Sequence, residues 1–358
     1  MNDSRSAAPT AAVGVPEAVA ALDGTGHDGT GHGGPGRGGP GRGDARRTTL
    51  GPVALVVAGG LSVQFGAAVA VLLMPRAGAL GVVTLRLAAA ALVLLVVCRP
   101  SLRGHSRADW GTVLAFGVAM GAMNTLFYQA ADRIPLGAAV TLEVLGPLVL
   151  SVVASRRLLN LVWAGLALCG VVLLSGMGPS LFGQGREAGA GFDGLDPVGA
   201  AYALAAGAMW AAYIVFSART GRRFPQADGL ALALAVAAVL SLPLGVMESG
   251  SKLLVPSTLG LGAAVALLSS VLPYTLELMA LRRLPAPTFA VLMSLEPAIA
   301  AMAGFLILDQ ALSTTDALAI ALVVGASMGA VRATARRGRM EKGTSRGRRP
   351  VRGNREGH

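Results

Sequence analysis

The chain has 358 residues, of which 53% are hydrophobic and 14% are charged, with a mean hydropathy of +0.62 and a formal net charge of +11. The apolar residues form blocks of roughly 20, the length that a helix needs to cross a bilayer core. This pattern excludes a water-soluble domain and predicts an all-α integral membrane protein that spans a lipid bilayer several times.

Residues 1–50 precede the first apolar block and contain the stretch DGTGHDGTGHGGPGRGGPGRG. This composition predicts a disordered, glycine-rich head in the cytoplasm. The first 22 residues lack the basic start and apolar core of a secretory signal. His27 and His32 repeat within the head, and a solvated tail is favoured there over a metal site.

Ten helical spans follow, at 52–73, 78–97, 110–130, 134–154, 158–178, 196–217, 229–247, 258–280, 285–308 and 312–331. The loops between them are short, so consecutive helices are expected to be antiparallel neighbours. Residues 332–358 form a cytoplasmic tail with ten basic and two acidic residues. An anionic membrane surface explains this tail better than nucleic acid, because no nucleic-acid-binding fold accompanies it.

Basic residues in the loops predict the orientation of these spans. With the N-terminus in the cytoplasm, the inner loops hold ten basic residues and the outer loops hold four. Both tails are basic, and the loop after the fifth span is net acidic. The distribution therefore predicts that the N-terminus and the C-terminus both lie inside.

An internal repeat relates the two halves of the chain. Two stretches align without a gap at an offset of 150: TLFYQAADRIPLGAAVTLEVLGP (125–147) and TLELMALRRLPAPTFAVLMSLEP (275–297). Eight of their 23 positions are identical. Five spans separate the copies, and since five is odd the halves are inverted in the membrane. We expect inverted five-helix repeats at 51–180 and 196–331, joined by an outer loop at 181–195. Secondary transporters have this architecture, with the substrate site at the midplane between the repeats.

Two carboxylates lie near the middle of their spans, Glu143 in the fourth and Glu296 in the ninth. In the repeat alignment they fall one helical turn apart. A proline leaves the carbonyl four residues earlier without its donor, so Pro147 and Pro297 each break a helix beside a glutamate. Freed carbonyls beside carboxylates predict a polar pocket for an ammonium group. The alternative is a pair of kinked helices whose glutamates are structural.

Other polar side chains fall within the spans. Arg86 is mid-span, and it can bind a substrate carboxylate or form a fixed ion pair with Glu143 or Glu296. Further candidates for a substrate cavity, each of which can instead serve helix packing, are Gln64, Asn124, Tyr128, Trp210, Tyr213 and Tyr274.

The sequence lacks the residues that several classes of mechanism require. No histidine lies in any predicted span, so a proton relay has to use carboxylates, and a histidine-based hydrolase or zinc enzyme is disfavoured. The chain also has no GxxxxGK[ST] phosphate loop, which argues against ATP as the energy source. The sequence predicts no cofactor, and it leaves open whether two copies form a homodimer.

The stretches GAMNTLFYQAADRIPLGAAVTLEVLGPL and LPYTLELMALRRLPAPTFAVLMSLEPAIAAMAGFLIL carry a family resemblance. Across residues 52–331 the chain resembles the EamA-type transporters of the drug/metabolite transporter superfamily. The most similar members export threonine and homoserine across the inner membrane of bacteria. The residues that match the family pattern are Gln64, Arg86, Asn124, Glu143, Pro147, Trp210, Glu296 and Pro297. Asp309-Gln310 departs from the Gly-Glu with which many members end the ninth span.

The resemblance implies a secondary transporter in the bacterial inner membrane that exports small neutral amino acids by proton exchange. We expect alternating access, with Glu143 and Glu296 carrying the proton. A broad metabolite or drug exporter of the same fold is the main alternative. A non-transporting membrane scaffold and an enzyme are the alternatives from other classes.

Overall fold

The computed structural model describes residues 42–155, 158–174, 195–224, 228–281 and 291–347. Within these ranges every regular element is helical, which confirms the all-α class. The α-helices are α1 (Arg42–Cys98), α2 (Arg107–Ala131), α3 (Leu136–Glu143), α4 (Leu145–Ser155), α5 (Leu158–Leu174), α6 (Pro197–Gly221), α7 (Asp228–Ser249), α8 (Pro256–Ala266), α9 (Leu272–Leu281), α10 (Glu296–Leu308) and α11 (Thr314–Gly347). A 3-10 helix (Gly250–Leu254) precedes α8, and a π turn (Leu267–Val271) joins α8 to α9.

Five apolar segments of the described residues are long enough to cross a membrane. They are Gly51–Cys98, Arg107–Ala131, Pro197–Gly221, Asp228–Leu254 and Val291–Leu308. Four shorter apolar segments accompany them, at Leu136–Leu150, Val162–Leu173, Pro256–Val271 and Thr314–Gly329. The helices thus have the length and composition of a multi-pass membrane protein.

Helix α1 consists of two arms that fold back on each other, residues 42–77 (arm one) and 79–98 (arm two). Between them Gly78 has φ +65°, a backbone conformation that favours glycine. Ser62 in arm one donates to the carbonyl of Leu268 at 2.6 Å, and Arg86 in arm two donates to the carbonyl of Ser269 at 3.4 Å. In a straight helix residues 62 and 86 would be roughly 36 Å apart. Since both contact the same turn, the chain reverses direction near Gly78.

Two helix N-termini are capped by side chains from the other half of the chain. Glu248 at the end of α7 accepts hydrogen bonds from the backbone N–H groups of Leu80 (2.7 Å) and Gly81 (3.2 Å), at the start of arm two. Gln310, just after α10, accepts one from the N–H of Leu136 at the start of α3 (3.0 Å). The first N–H groups of a helix have no partner inside it, so these caps replace water where the helix ends are packed.

Small residues let the helices approach closely. A Cβ at Gly146 in α4 would collide with the backbone of Gly207 in α6, and one at Gly137 in α3 would lie 2.8 Å from the Cα of Ala301 in α10. Close backbone approach through glycine and alanine is typical of helix packing in membranes. It brings α3, α4, α6 and α10 together beside the largest cluster of buried residues.

The helices extend beyond the predicted membrane part at both ends. Helix α1 begins at Arg42, inside the predicted disordered head, and α11 continues to Gly347, inside the predicted tail. A helix propagates more easily than it nucleates, and arginine is a good helix former, so an apolar helix continues into an arginine-rich flank. Residues 1–41 and 348–358, with His27 and His32, lie outside the described residues, as does most of the predicted outer loop.

We expect Gly146→Ala to destabilise the fold, because its methyl group forces α4 away from the backbone of Gly207. Overpacking of this kind costs roughly 1–3 kcal/mol. The measurement is the thermal unfolding midpoint of the purified protein in detergent. Gly165→Ala in α5 is the matched control, since nothing lies within 4 Å of its Cβ position. Equal midpoints for the two variants would contradict the close packing of α4 on α6.

Candidate functional site

A cavity of about 180 Å³ lies between the two arms of α1 and helices α2, α3, α6 and α7, with residues of the π turn and α10 closing its wall. Eight of the nine predicted substrate and proton residues line it: Gln64, Arg86, Asn124, Tyr128, Glu143, Trp210, Tyr213 and Glu296. The ninth, Tyr274, belongs to α9, and its side chain lies outside the described residues. The fold therefore brings these scattered positions into one place, and their roles stay predictions.

Arg86 is held in the cavity wall by neutral acceptors. Its Nη1 donates to Asn124 Oδ1 at 2.7 Å and to the hydroxyl of Tyr128 at 3.3 Å, and its Nη2 donates to the carbonyl of Ser269 at 3.4 Å. The guanidinium also lies 5.6 Å from the centre of the Tyr128 ring. Among the described residues no ion pair joins Arg86 to Glu143. Its Nε is buried without a hydrogen-bond partner in that same part of the chain, so one donor remains for a ligand.

The carbonyl that anchors Arg86 is exposed by a proline that sequence reasoning missed. Pro273 has no N–H, so the carbonyl of Ser269, four residues earlier, has no regular helical donor. The backbone widens there into the π turn, in which the N–H of Leu272 bonds the carbonyl of Leu267. Such turns occur often at functional sites. The signal in the sequence was the proline in SSVLPY, since it follows the same rule that singled out Pro147 and Pro297.

Both glutamates lie next to breaks in their helices. Helix α3 ends at Glu143 and α4 begins after Val144, while a turn at Ser294–Leu295 precedes Glu296, the first residue of α10. The breaks at positions 144 and 294 are 150 residues apart, the offset of the sequence repeat. Glu143 is half-buried and Glu296 is buried, and both residues line the cavity.

Pro147 and Pro297 are buried beside these breaks but do not line the cavity. Pro147 frees the carbonyl of Glu143, and the structure shows which helix lies beside it. The carbonyl oxygen of Glu143 lies against α6, where it would be 2.5 Å from a Cβ at Gly207. The freed carbonyl thus lies where α3 packs closely on α6, and its part in a polar pocket stays a prediction.

Several further wall residues carried no signal of their own in the sequence. Ser269 and Ser270 are buried in the π turn, and Met120, Met123 and Leu234 supply an apolar surface opposite the charged groups. Serine, methionine and leucine are ordinary residues of apolar helices. Only the packing of α2, α7 and the π turn around Arg86 shows that they share a cavity.

A pocket lined by one arginine and two glutamates, set between broken apolar helices, is typical of a membrane transporter. Residues 197–332 match the EamA-like transporter family. Over 278 residues the chain is 38% identical to the threonine/homoserine exporter RhtA of Escherichia coli (strain K12), and this match covers 78% of the chain and 90% of the relative. The RhtA exporter of Salmonella typhimurium (strain LT2) shows the same identity and coverage. The chain belongs to the EamA-like transporter family, and it is a multi-pass membrane transporter and not an enzyme.

Proposed function

We propose that this protein is a secondary transporter that exports small neutral amino acids, of the threonine and homoserine type, in exchange for protons. The observation that carries the proposal is the cavity, whose wall combines Arg86, anchored and with one donor unpaired among the described residues, with Glu143 and Glu296. A zwitterionic amino acid presents the complementary charges, a carboxylate and an ammonium group. The similarity to exporters of threonine and homoserine supports the same substrate class.

The size of the cavity favours a small substrate over a drug. Its volume of about 180 Å³ lies below the range that begins at about 300 Å³ for pockets that bury drug-sized ligands. Arg86 offers fork geometry to the substrate carboxylate, and Glu143 and Glu296 offer negative charge to the ammonium group. The drug exporter, the main alternative, would need a wider and less polar pocket.

The proposal includes ten membrane crossings in two inverted five-helix repeats. The helix breaks at positions 144 and 294 support it, because they are equivalent in the sequence repeat. The caps support it as well. Glu248, directly after the predicted seventh span, caps the second span, and Gln310, after the ninth, caps the fourth. In each pair the two spans are counterparts in the two repeats.

The proposed location is the bacterial inner membrane, with both termini inside. Two ion pairs support this topology because each joins residues predicted on the same side. Arg223 and Asp109 are 3.1 Å apart near the predicted inner surface, and Arg133 and Asp196 are 3.4 Å apart near the outer one. Alternating access would break and remake contacts of this kind as the repeats move about the cavity.

Exchange requires a group that holds either a proton or the substrate ammonium, but not both at once. Glu143 and Glu296 meet this requirement, since both are carboxylates in the cavity wall. The cavity wall contains no histidine among the described residues. A proton arriving from outside would displace the ammonium group and release the amino acid.

Proteoliposomes that contain the purified transporter test the proposal directly. With a pH gradient imposed, labelled threonine should accumulate on the acidic side, because protons leave that side in exchange. Abolishing the gradient with a protonophore should stop accumulation but leave exchange of threonine for threonine. Failure to move threonine or homoserine, combined with movement of larger compounds, would favour the drug exporter.

For Arg86→Ala we expect the half-saturating concentration of threonine to rise at least about tenfold, because a hydrogen bond to a charged group is lost. Folded yield should fall little, since the partners of Arg86 are neutral. Arg76→Ala, an exposed arginine outside the cavity, is the control. A large loss of folded protein with unchanged affinity would instead assign Arg86 to a structural ion pair.

Pro273→Ala restores an N–H that can bond the carbonyl of Ser269 and compete with Arg86 for it. The guanidinium then loses one anchor, so we expect the half-saturating concentration of threonine to rise about three- to tenfold. Pro243→Ala is the matched control, because Pro243 lies in the middle of α7 with its side chain exposed. Similar affinities for the two variants would show that the freed carbonyl does not position Arg86.

Glu296→Gln keeps the shape of the side chain but cannot exchange a proton. It should insert normally, lose pH-driven accumulation of threonine, and retain exchange that does not depend on pH. Glu143→Gln should be at least as severe if both carboxylates share the proton. Asp132→Asn, an exposed carboxylate outside the cavity, serves as control. Normal pH-driven export by both glutamine variants would exclude the carboxylate mechanism.

A further inference from the structure

Gln64 carries a buried polar atom that has no hydrogen-bond partner among the described residues. Its side chain is only 4% exposed and lines the cavity from arm one. Within the described ranges its Oε1 has no hydrogen-bond partner. A buried acceptor without a donor is costly, and in native structures it calls for a specific explanation.

Two buried atoms of the cavity wall lack a hydrogen-bond partner among the described residues, and one is an acceptor and the other a donor. Six buried side-chain atoms lack a partner in the described part of the chain, and only two of them, Gln64 Oε1 and Arg86 Nε, belong to residues that line the cavity. A ligand that satisfies both has to supply an acceptor to Arg86 and a donor to Gln64. The carboxylate of an amino acid is the acceptor that suits the guanidinium.

Two other polar residues of the cavity wall, Asn124 and Ser269, use their donors elsewhere. Asn124 accepts from Arg86 through Oδ1 and donates through Nδ2 to the carbonyl of Met120 at 2.9 Å. The hydroxyl of Ser269 donates to the carbonyl of Val265 at 2.6 Å. Since Oε1 has no donor among the described residues, a ligand in the cavity can supply one.

Two donors exist on a hydroxy amino acid, the ammonium group and the side-chain hydroxyl. The ammonium group is positively charged, and Glu143 and Glu296 attract it more strongly than a neutral amide does. The hydroxyl remains for Gln64. A hydroxyl both donates and accepts, so it satisfies the amide whichever way its oxygen and nitrogen face.

We infer that Gln64 binds the side-chain hydroxyl of the substrate and thereby selects hydroxy amino acids over their aliphatic isosteres. The inference rests on the proposed function and specifies the selectivity of the same site. A site built to bond a hydroxyl rejects the analogue that lacks it, because the buried polar group then stays unpaired. Threonine and valine are a matched pair for this purpose, with a methyl group in valine where threonine has its hydroxyl.

The test compares threonine with valine in proteoliposomes that contain the full chain. For the unmodified protein we expect a ratio of transport efficiencies of at least about tenfold in favour of threonine. In Gln64→Met, which keeps the length but removes the amide, the ratio should fall to within about threefold, mainly through slower threonine transport. Thr220→Val is the matched control, since Thr220 also carries a buried orphan hydroxyl but does not line the cavity.

A binding measurement separates selection from structural damage. Removing a buried orphan acceptor should leave the thermal unfolding midpoint of Gln64→Met equal or higher without substrate. The rise in midpoint that saturating threonine produces should shrink, while the rise with valine should not. A merely structural role for Gln64 predicts the opposite, a lower midpoint without substrate and an unchanged preference.

Three results would overturn the inference, and they differ in what they say about the proposed function. Equal transport of threonine and valine by the unmodified protein would reject selection by hydroxyl and leave amino-acid export standing. An unchanged ratio in Gln64→Met would reject the role of Gln64 alone. If the unmodified protein moved neither amino acid, the proposed function and the inference would fall together.

Discussion

The side chain of Arg86 places a permanent positive charge between apolar helices, and the structure around the cavity serves to keep it there. A charge without partners in such surroundings is prohibitively costly. Here α2 contributes Asn124 and Tyr128, and the π turn contributes the carbonyl of Ser269. The anchors are neutral, so the charge is held in position but not cancelled by an ion pair with Glu143. It stays available to a carboxylate ligand, whereas a fixed ion pair would have withdrawn it from binding.

Non-helical backbone occurs where other groups of the chain can contact the backbone groups that lack a helical hydrogen bond. The π turn before Pro273 exposes a carbonyl that Arg86 uses, and the break after Glu143 exposes one that packs on Gly207. The N-termini of arm two and α3 are capped by Glu248 and Gln310. Inside a bilayer no water replaces a missing partner, so non-helical backbone survives only where protein or a polar cavity meets it. The same breaks bring the polar side chains of several helices to one cavity.

The charges of the cavity suggest why one site can serve both binding and coupling. A guanidinium cannot lose its proton under physiological conditions, so it provides constant attraction for a carboxylate. Carboxylates do exchange protons, so their attraction for an ammonium group can be switched. In the proposed function one end of an amino acid would meet a fixed charge and the other end a variable one. Gln64, neutral and buried, would add a criterion that depends on neither charge.

The sequence was enough to predict a helical membrane protein and its candidate polar residues. The prediction used the length of the apolar blocks, the positive charge of the loops and the alignment of the two halves. These properties are local or periodic, and they can be read from the sequence because a bilayer demands long apolar helices. The sequence left open the partner of Arg86, and it did not show which helix packs against the carbonyl freed by Pro147. Hydrogen-bond partners depend on which helix faces lie together at a separation of a few ångströms. Tertiary packing alone determines that contact. Only the structure therefore paired Arg86 with Ser269, placed Glu143 against Gly207, and put Gln64 in the cavity wall with its Oε1 unpaired among the described residues.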